Sequence, residues 1–182
     1  MQSDIEKIII TEEQIKGRLK ELVSEVMEYY VDKPLVVIAI LKGSVIFLAD
    51  FIRLMPIKMS FDFITLSSYG NSSVSSGKVQ LDKDIRIDIK NKYVLLIDDI
   101  YDSGHTFNYA KEYLVRMKPA EIRTCAFIVK KKKRQCDVSI DYSGFEIEDR
   151  YVVGYGLDYM DLYRNLPYVA VIDPRIISDN SP

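Results

Sequence analysis

Hydrophobic positions change their period along this chain, and the changes mark out its elements. Ile15, Leu19, Leu22, Val26 and Tyr30 recur at spacings of four, three, four and four, the period of one helical face. Thr11-Glu12-Glu13-Gln14 precedes that stripe as a capping box, and Pro34 closes it, so a packing helix is predicted. Leu35–Leu41 is then an unbroken apolar run of seven residues, the pattern of a buried strand. Lys42-Gly43-Ser44 follows, and a second helical stripe, Val45, Leu48, Ile52 and Met55, ends at Pro56. In residues 57–66 the pattern switches to alternation, with Ile57, Met59, Phe61 and Phe63 set against Lys58, Ser60 and Asp62. Residues 78–81 and 84–89 resume the alternation, which predicts an extended hairpin around residues 67–77. That loop holds six serines, two glycines and one asparagine in eleven residues, with Tyr69 its lone aromatic. It reads either as a plain solvent loop or as a lid that closes over a substrate.

The second half repeats the alternation of buried strand and helix. Residues 94–97 are a short buried strand, and Phe107, Ala110, Leu114 and Met117 mark a helix that stops at Lys118 before Pro119. Residues 124–129 are another buried strand, 138–140 and 145–147 read as short strands, and 169–172 as the last. The tail from Ser178 is expected to fray. Strands alternating with helices predict an open α/β fold, a mostly parallel twisted sheet flanked by helices.

Composition narrows the class. A chain of 182 residues, 48% hydrophobic and 29% charged, is expected to be one globular domain. The net charge of −2 gives no global field for nucleic acid or a membrane surface, so any anion site must be local. No apolar run is long enough to span a bilayer, and the first seven residues lack the features of a signal peptide. Cys125 and Cys136 are too few for a disulfide framework and read as free thiols in a reducing cytoplasm. Neither cysteine is expected to have a histidine partner nearby, His105 being the single histidine, so neither a zinc site nor a Cys–His nucleophile is expected.

The chemistry concentrates after the strand at 94–97. Asp98 and Asp99 follow it, then the small-residue turn Asp102-Ser103-Gly104-His105-Thr106 opens a helix. Strand, turn and helix start gather backbone N–H donors at one point and add the helix dipole, which builds an anion site. Three acids beside that site need a mediator, and magnesium and sugar hydroxyls are the natural ones, so a sugar phosphate is expected. Lys42 and Gly43 fall at the end of one strand, Lys130 at the end of another, and Asp158 just beyond a third. Ligands of open α/β sheets bind beyond the carboxyl ends of strands. Lys42-Gly43 taken alone reads as an ordinary loop, and residues 130–134, a basic run, as a solvated one except for Lys130.

Residues 97–106, I-D-D-I-Y-D-S-G-H-T, resemble the phosphoribosyl-pyrophosphate motif of the type I phosphoribosyltransferases. Leu41-Lys42-Gly43, Ser68-Tyr69-Gly70, Val129-Lys130, residues 151–159 (YVVGYGLDY) and 163–168 (YRNLPY) resemble the bacterial hypoxanthine (hypoxanthine-guanine) branch of that family. The likeness covers roughly residues 8–173, with the motifs in the family's order. It implies a single domain over 1–182, with a core over about 30–140, a hood from 1–30 and 145–182, and a lid at 67–77. It implies purine salvage, the transfer of the phosphoribosyl group from phosphoribosyl pyrophosphate to hypoxanthine or guanine. The products are IMP or GMP and pyrophosphate, and the cofactor is Mg2+.

The same likeness assigns residues. Asp102 is the catalytic base toward purine N7, and Asp98, Asp99, Asp102, Ser103, Gly104, His105 and Thr106 hold the ribose 5-phosphate end. Lys42, Gly43, Arg164, Ser68 and Tyr69 contact pyrophosphate, and the Leu41–Lys42 peptide is implied to be cis. Lys130, Tyr151, Val152 and Asp158 hold the purine, with Lys130 donating to its 6-oxo group. Asp98, Asp99 and Asp158 are the implied metal ligands. The partners implied are these small molecules, with no nucleic acid and no membrane, in a cytoplasmic homodimer or homotetramer. The chain departs from the family pattern in having Asp98 where glutamate is usual and His105 where lysine or an aliphatic residue is common. His105 is therefore expected to contribute backbone rather than a catalytic imidazole. Tyr151 replaces a common phenylalanine and keeps the stacking face. Two other readings are an RNA-binding regulator on the same fold and a xanthine-preferring enzyme; the net charge speaks against the first.

Overall fold

A computed structural model describes residues 2–68, 79–133 and 135–179. The larger of its two sheets has six strands in the order β4-β3-β2-β5-β6-β7: β2 is Leu35–Leu41, β3 Ser60–Ser68, β4 Val79–Lys83, β5 Tyr93–Tyr101, β6 Glu121–Lys131 and β7 Tyr142–Glu148. Every pairing in it is parallel except that of β4, which returns antiparallel to β3 at one edge. The expected parallel α/β sheet is present. Residues 35–40 of β2 and 94–98 of β5 are buried, which accounts for their apolar runs.

Helix α1, Glu12–Tyr30, starts at the predicted capping box, and Ile15, Leu19, Leu22, Val26 and Tyr30 are its buried face together with Val23. It packs on the main sheet: Arg18 donates to the carbonyls of Gly144 and Ser143 at 2.9 and 2.8 Å, just inside β7. Helix α3, His105–Val115, buries the predicted Phe107, Ala110 and Leu114.

The second sheet has three antiparallel strands in the order β1-β9-β8: β1 is Ile5–Ile10, β8 Val152–Val153 and β9 Val169–Ile172. It ties the two ends of the chain together. β1 escapes the periodicity because Ile5–Ile10 neither alternates nor runs apolar throughout, and its ladder with β9 shifts register twice.

Four expectations are corrected. Helix α2, Val45–Leu54, buries Phe47, Leu48 and Phe51, while Val45 is exposed and Ile52 is only partly covered. Eight of its ten residues are apolar, so spacing could not choose a face; the two large rings do, Phe47 packing on both Phe51 and Phe127. Residues 84–89 form no strand, because Asp62 Oδ2 accepts the N–H groups of Arg86 and Ile87 at 2.6 and 3.1 Å in place of a ladder. Residues 138–140 likewise form no strand: the Val138 N–H donates to Tyr101 Oη at 2.9 Å, and the Ser139 carbonyl accepts from Thr124 at 2.7 Å. Ser178, expected to start the frayed tail, instead lies in the helix Pro174–Asp179, and residues 180–182 of that tail lie outside the described residues. Among the described residues no helix is long and apolar enough to cross a membrane.

Candidate active site

The carboxyl ends of β2, β5 and β6 open onto two adjoining clefts. The first, about 630 Å³, is lined by Lys42, Gly43, Asp98, Asp99, Ser103, Gly104, Thr106 and Arg164, among others. The second, about 530 Å³, is lined by Lys130, Lys132, Gln135, Tyr151, Val152 and Leu157. Asp99, Ile100, Asp102, Ser103 and Asp158 border both and form the partition between them. One cleft thus carries anion donors with carboxylates at its floor, and the other carries cations, an aromatic face and a strand backbone.

The turn after β5 is shaped for close approach. Gly104 caps α3 in the left-handed region at φ 90°, and a Cβ there would come 2.0 Å from the Cys136 carbonyl oxygen. No side chain caps α3, which leaves the N–H donors of its first turn to a ligand anion. The Ser103 carbonyl is clasped from behind by the N–H groups of Gln135 and Cys136 at 3.2 and 3.1 Å. His105 lines neither cleft; its ring joins the same clasp, Nε2 at 2.7 Å from Gln135 Oε1 and Nδ1 at 3.1 Å from Cys136 Sγ. The expectation that neither cysteine meets the histidine is thereby overturned, since the loop after β6 folds back across the start of α3.

Asp98 is buried, and its Oδ1 accepts the Asp99 N–H at 2.9 Å. Burial, and then the neighbouring Asp99 charge, hold its carboxyl well above the usual range. Burial raises Asp99 as well, against the pull of Arg164. Asp102 also feels its burial, but hydrogen bonds from Lys132 and Lys130 outweigh it and lower the carboxyl below the usual range. Lys130 Nζ stands 2.9 Å from Asp102 Oδ2.

Lys42 follows a cis peptide bond from Leu41, as the resemblance implied. Its Nζ reaches Asp161 at 3.2 Å. Arg164 donates to Asp158 Oδ1 at 2.8 Å, to Asp161 Oδ1 at 3.1 Å and to the Gly156 carbonyl at 2.8 Å. Tyr151 is 51% exposed at the mouth of the second cleft and meets Tyr159 edge-on, ring centres 5.5 Å apart. Of the residues expected at the site, Tyr69 lies outside the described residues, and Ser68 is described only as the last residue of β3, paired with Val79.

The family model of the phosphoribosyl transferase domain matches residues 7–160. The chain belongs to the phosphoribosyltransferase family. It is 42% identical over 176 residues to a hypoxanthine-guanine phosphoribosyltransferase of Bacillus subtilis, covering 97% of this chain and 98% of that one. It is 43% identical over 168 residues to one of Aquifex aeolicus, covering 92% and 94%. A crystal structure of a hypoxanthine phosphoribosyltransferase from Staphylococcus aureus matches it with a TM-score of 0.92 at 40% identity, covering 97% and 96%.

In this phosphoribosyltransferase two cleft residues, Asp161 and Lys132, and Asp149 paired with Lys132, were not singled out from the sequence. Asp161 occupies both Lys42 and Arg164. Lys132 sits in the run read as a solvated loop, one residue past the end of β6, and the turn that brings it to the cleft, its N–H donating to the Lys130 carbonyl at 3.1 Å, leaves no periodic signal in the sequence.

Proposed function

We propose that this chain transfers the 5-phosphoribosyl group of phosphoribosyl pyrophosphate to N9 of hypoxanthine or guanine, giving IMP or GMP and pyrophosphate. The observation that carries this reading is the partition between the two clefts. A group with a carboxylate on either side of its reacting carbon, phosphate donors to one side and an oxopurine pocket to the other, fits nothing simpler. The near full-length likeness to hypoxanthine-guanine phosphoribosyltransferases supports the choice of base.

In the first cleft the turn from Asp102 to Thr106 receives the 5′-phosphate, with His105 contributing backbone while its ring holds the clasp. Arg164, Lys42 and the Gly43 backbone receive the pyrophosphate, which displaces Asp161 from both cations. Ser68 and Tyr69 are its further contacts by the family resemblance alone. In the second cleft Tyr151 stacks on the purine and the Val152 backbone reads its edge. Lys130 turns from Asp102 to the 6-oxo group, which accepts a hydrogen bond that a 6-amino group could not. Asp102, released on that side, takes the N7 proton and faces the positive charge that develops on the ribose.

Magnesium fits the first cleft. Among the described residues no three His, Cys, Asp or Glu side chains form a closed cage. Magnesium does not need one, because it keeps waters and takes one or two carboxylates together with substrate oxygens. Asp98 and Asp99 offer such a pair, both carboxyls being raised above the usual range first by burial. Asp98 and Asp99 would hold one ion with the ribose hydroxyls, and Asp158 a second on the pyrophosphate side. When bound, the ion neutralises charge on the departing pyrophosphate. The enzyme acts in the cytoplasm as a homodimer or homotetramer.

The test is turnover of hypoxanthine, guanine and xanthine with phosphoribosyl pyrophosphate and magnesium, followed by nucleotide formation. The kcat/KM for the first two exceeds that for xanthine, and Asp102→Asn loses most turnover while still binding phosphoribosyl pyrophosphate. A wild-type enzyme inactive on every oxopurine overturns the reading.

A further inference from the structure

Lys130 and Lys132 each reach the same two carboxylates. Lys130 Nζ is 2.9 Å from Asp102 Oδ2 and 3.4 Å from Asp149 Oδ1. Lys132 Nζ bonds Asp102 Oδ1 and lies 3.5 Å from Asp149 Oδ1. The four side chains close a ring of alternating charge on the wall of the second cleft, which both lysines line. Lys131, between them in sequence, points away to Glu148 at 3.8 Å. β6 ends at Lys131 and the chain turns there, the Lys132 N–H donating to the Lys130 carbonyl at 3.1 Å, so Lys130 and Lys132 both reach the cleft while Lys131 stays outside. Lys130 is the deeper of the two, its side chain 10% exposed against 28% for Lys132.

This ring resolves a difficulty in the proposed reaction. Lys130 is needed at the oxo group, and Asp102 is needed as an oriented, ionised base. Were Lys130 the only cation on Asp102, its departure would leave the carboxylate free to rotate at the moment of proton transfer. Lys132 holds the other oxygen, Oδ1, from the cleft rim, and Asp149 fixes Lys132 from its far side. Asp149 also offers Lys130 a second acceptor, so the inner lysine leaves Asp102 without becoming an unpaired, buried cation. Resting on the function proposed above, we infer that Lys132 is a positioning residue, anchored by Asp149, that holds Asp102 in line while Lys130 moves to the purine. The rim position makes this pair weak as a source of stability. Its value is alignment, where a misplacement of 1 Å costs up to about a hundredfold in rate.

Steady-state kinetics with hypoxanthine and phosphoribosyl pyrophosphate, on wild type, Lys132→Met, Lys132→Arg and Asp149→Asn, tests the assignment. Lys132→Met lowers kcat roughly tenfold and leaves KM for phosphoribosyl pyrophosphate within about twofold, because the base is misaligned while the first cleft is untouched. Lys132→Arg keeps most of the wild-type kcat. Asp149→Asn lowers kcat by a smaller factor, and adds nothing when combined with Lys132→Met, since it acts only through that lysine. Thermal melting of all three variants matches wild type. Wild-type kcat in Lys132→Met overturns the inference, as does Lys132→Arg being no better than Lys132→Met. An active wild type with an unaffected Lys132→Met sinks this inference alone, whereas an inactive wild type sinks the proposed function itself.

Discussion

Gly43 lies so close to Asp99 that a Cβ on it would stand 1.7 Å from Asp99 Oδ2. The glycine after the cis bond is therefore room for a carboxylate. The clash of Gly43→Ala falls on the tip of a side chain, which rotates away at small cost to the fold. The expected outcome is a loss of kcat/KM for phosphoribosyl pyrophosphate of at least about tenfold with an unchanged melting temperature. A large drop in melting temperature would show that the contact is structural instead.

Asp98 is held for chemistry at the expense of stability. Its folded-state carboxyl titrates above the unfolded one, because of burial and then of Asp99. The folded state therefore binds the proton more tightly. Stability from this group is complete below the unfolded range and is lost as pH rises through the raised value. At pH 7 without magnesium, Asp98→Asn should melt higher than wild type, by about 2–4 °C for each 1 kcal/mol relieved. The gain should shrink toward pH 4, where wild-type Asp98 is already protonated, and magnesium-dependent turnover should be lost. A lower melting temperature at pH 7 would contradict it.

Arg164 ties the end of the chain's glycine turn to the pyrophosphate side of the first cleft, through Asp158 Oδ1 and the Gly156 carbonyl, both at 2.8 Å. A charge-assisted bond of this kind is worth about 1.5–3 kcal/mol, so Arg164→Met should weaken phosphoribosyl pyrophosphate roughly ten- to a hundredfold by calorimetry. Lys42→Met should weaken it less, because that side chain is 69% exposed and pays more to be ordered. Equal effects would mean that the lysine is drawn in on binding.

His105 braces the phosphate turn without entering it. His105→Ala removes the links to Gln135 and Cys136 and should cost about 1 kcal/mol in denaturant unfolding, with kcat within about threefold of wild type. A loss of a hundredfold in kcat at unchanged stability would make the imidazole part of the chemistry.

Much of this protein was legible as local pattern. The periods of α1 and α3, the buried runs of β2 and β5 and the turn from Asp102 to Thr106 each depend on residues near one another in sequence. Local pattern failed where it was degenerate or where a side chain replaced a ladder. α2 is apolar nearly all round, so only the packing of Phe47 against Phe51 and Phe127 sets its phase. Residues 84–89 alternate like a strand, but Asp62, more than twenty residues earlier, takes their N–H groups.

The sequence by itself determined which strands are buried and which charged residues lie toward their carboxyl ends, because burial is written in short windows; it ended two of them early, since β5 runs on through Asp98 and Asp99 to Tyr101 and β6 through Lys130 to Lys131. The tertiary structure alone decided how those ends share space. It set Asp99, Asp102 and Asp158 as one partition between two clefts. It seated His105 against Cys136, thirty-one residues away, and put Lys132 and Asp149 around Asp102. Charge, unlike hydrophobicity, has no period along the chain, and what a carboxylate does is set by the cations that folding brings to it.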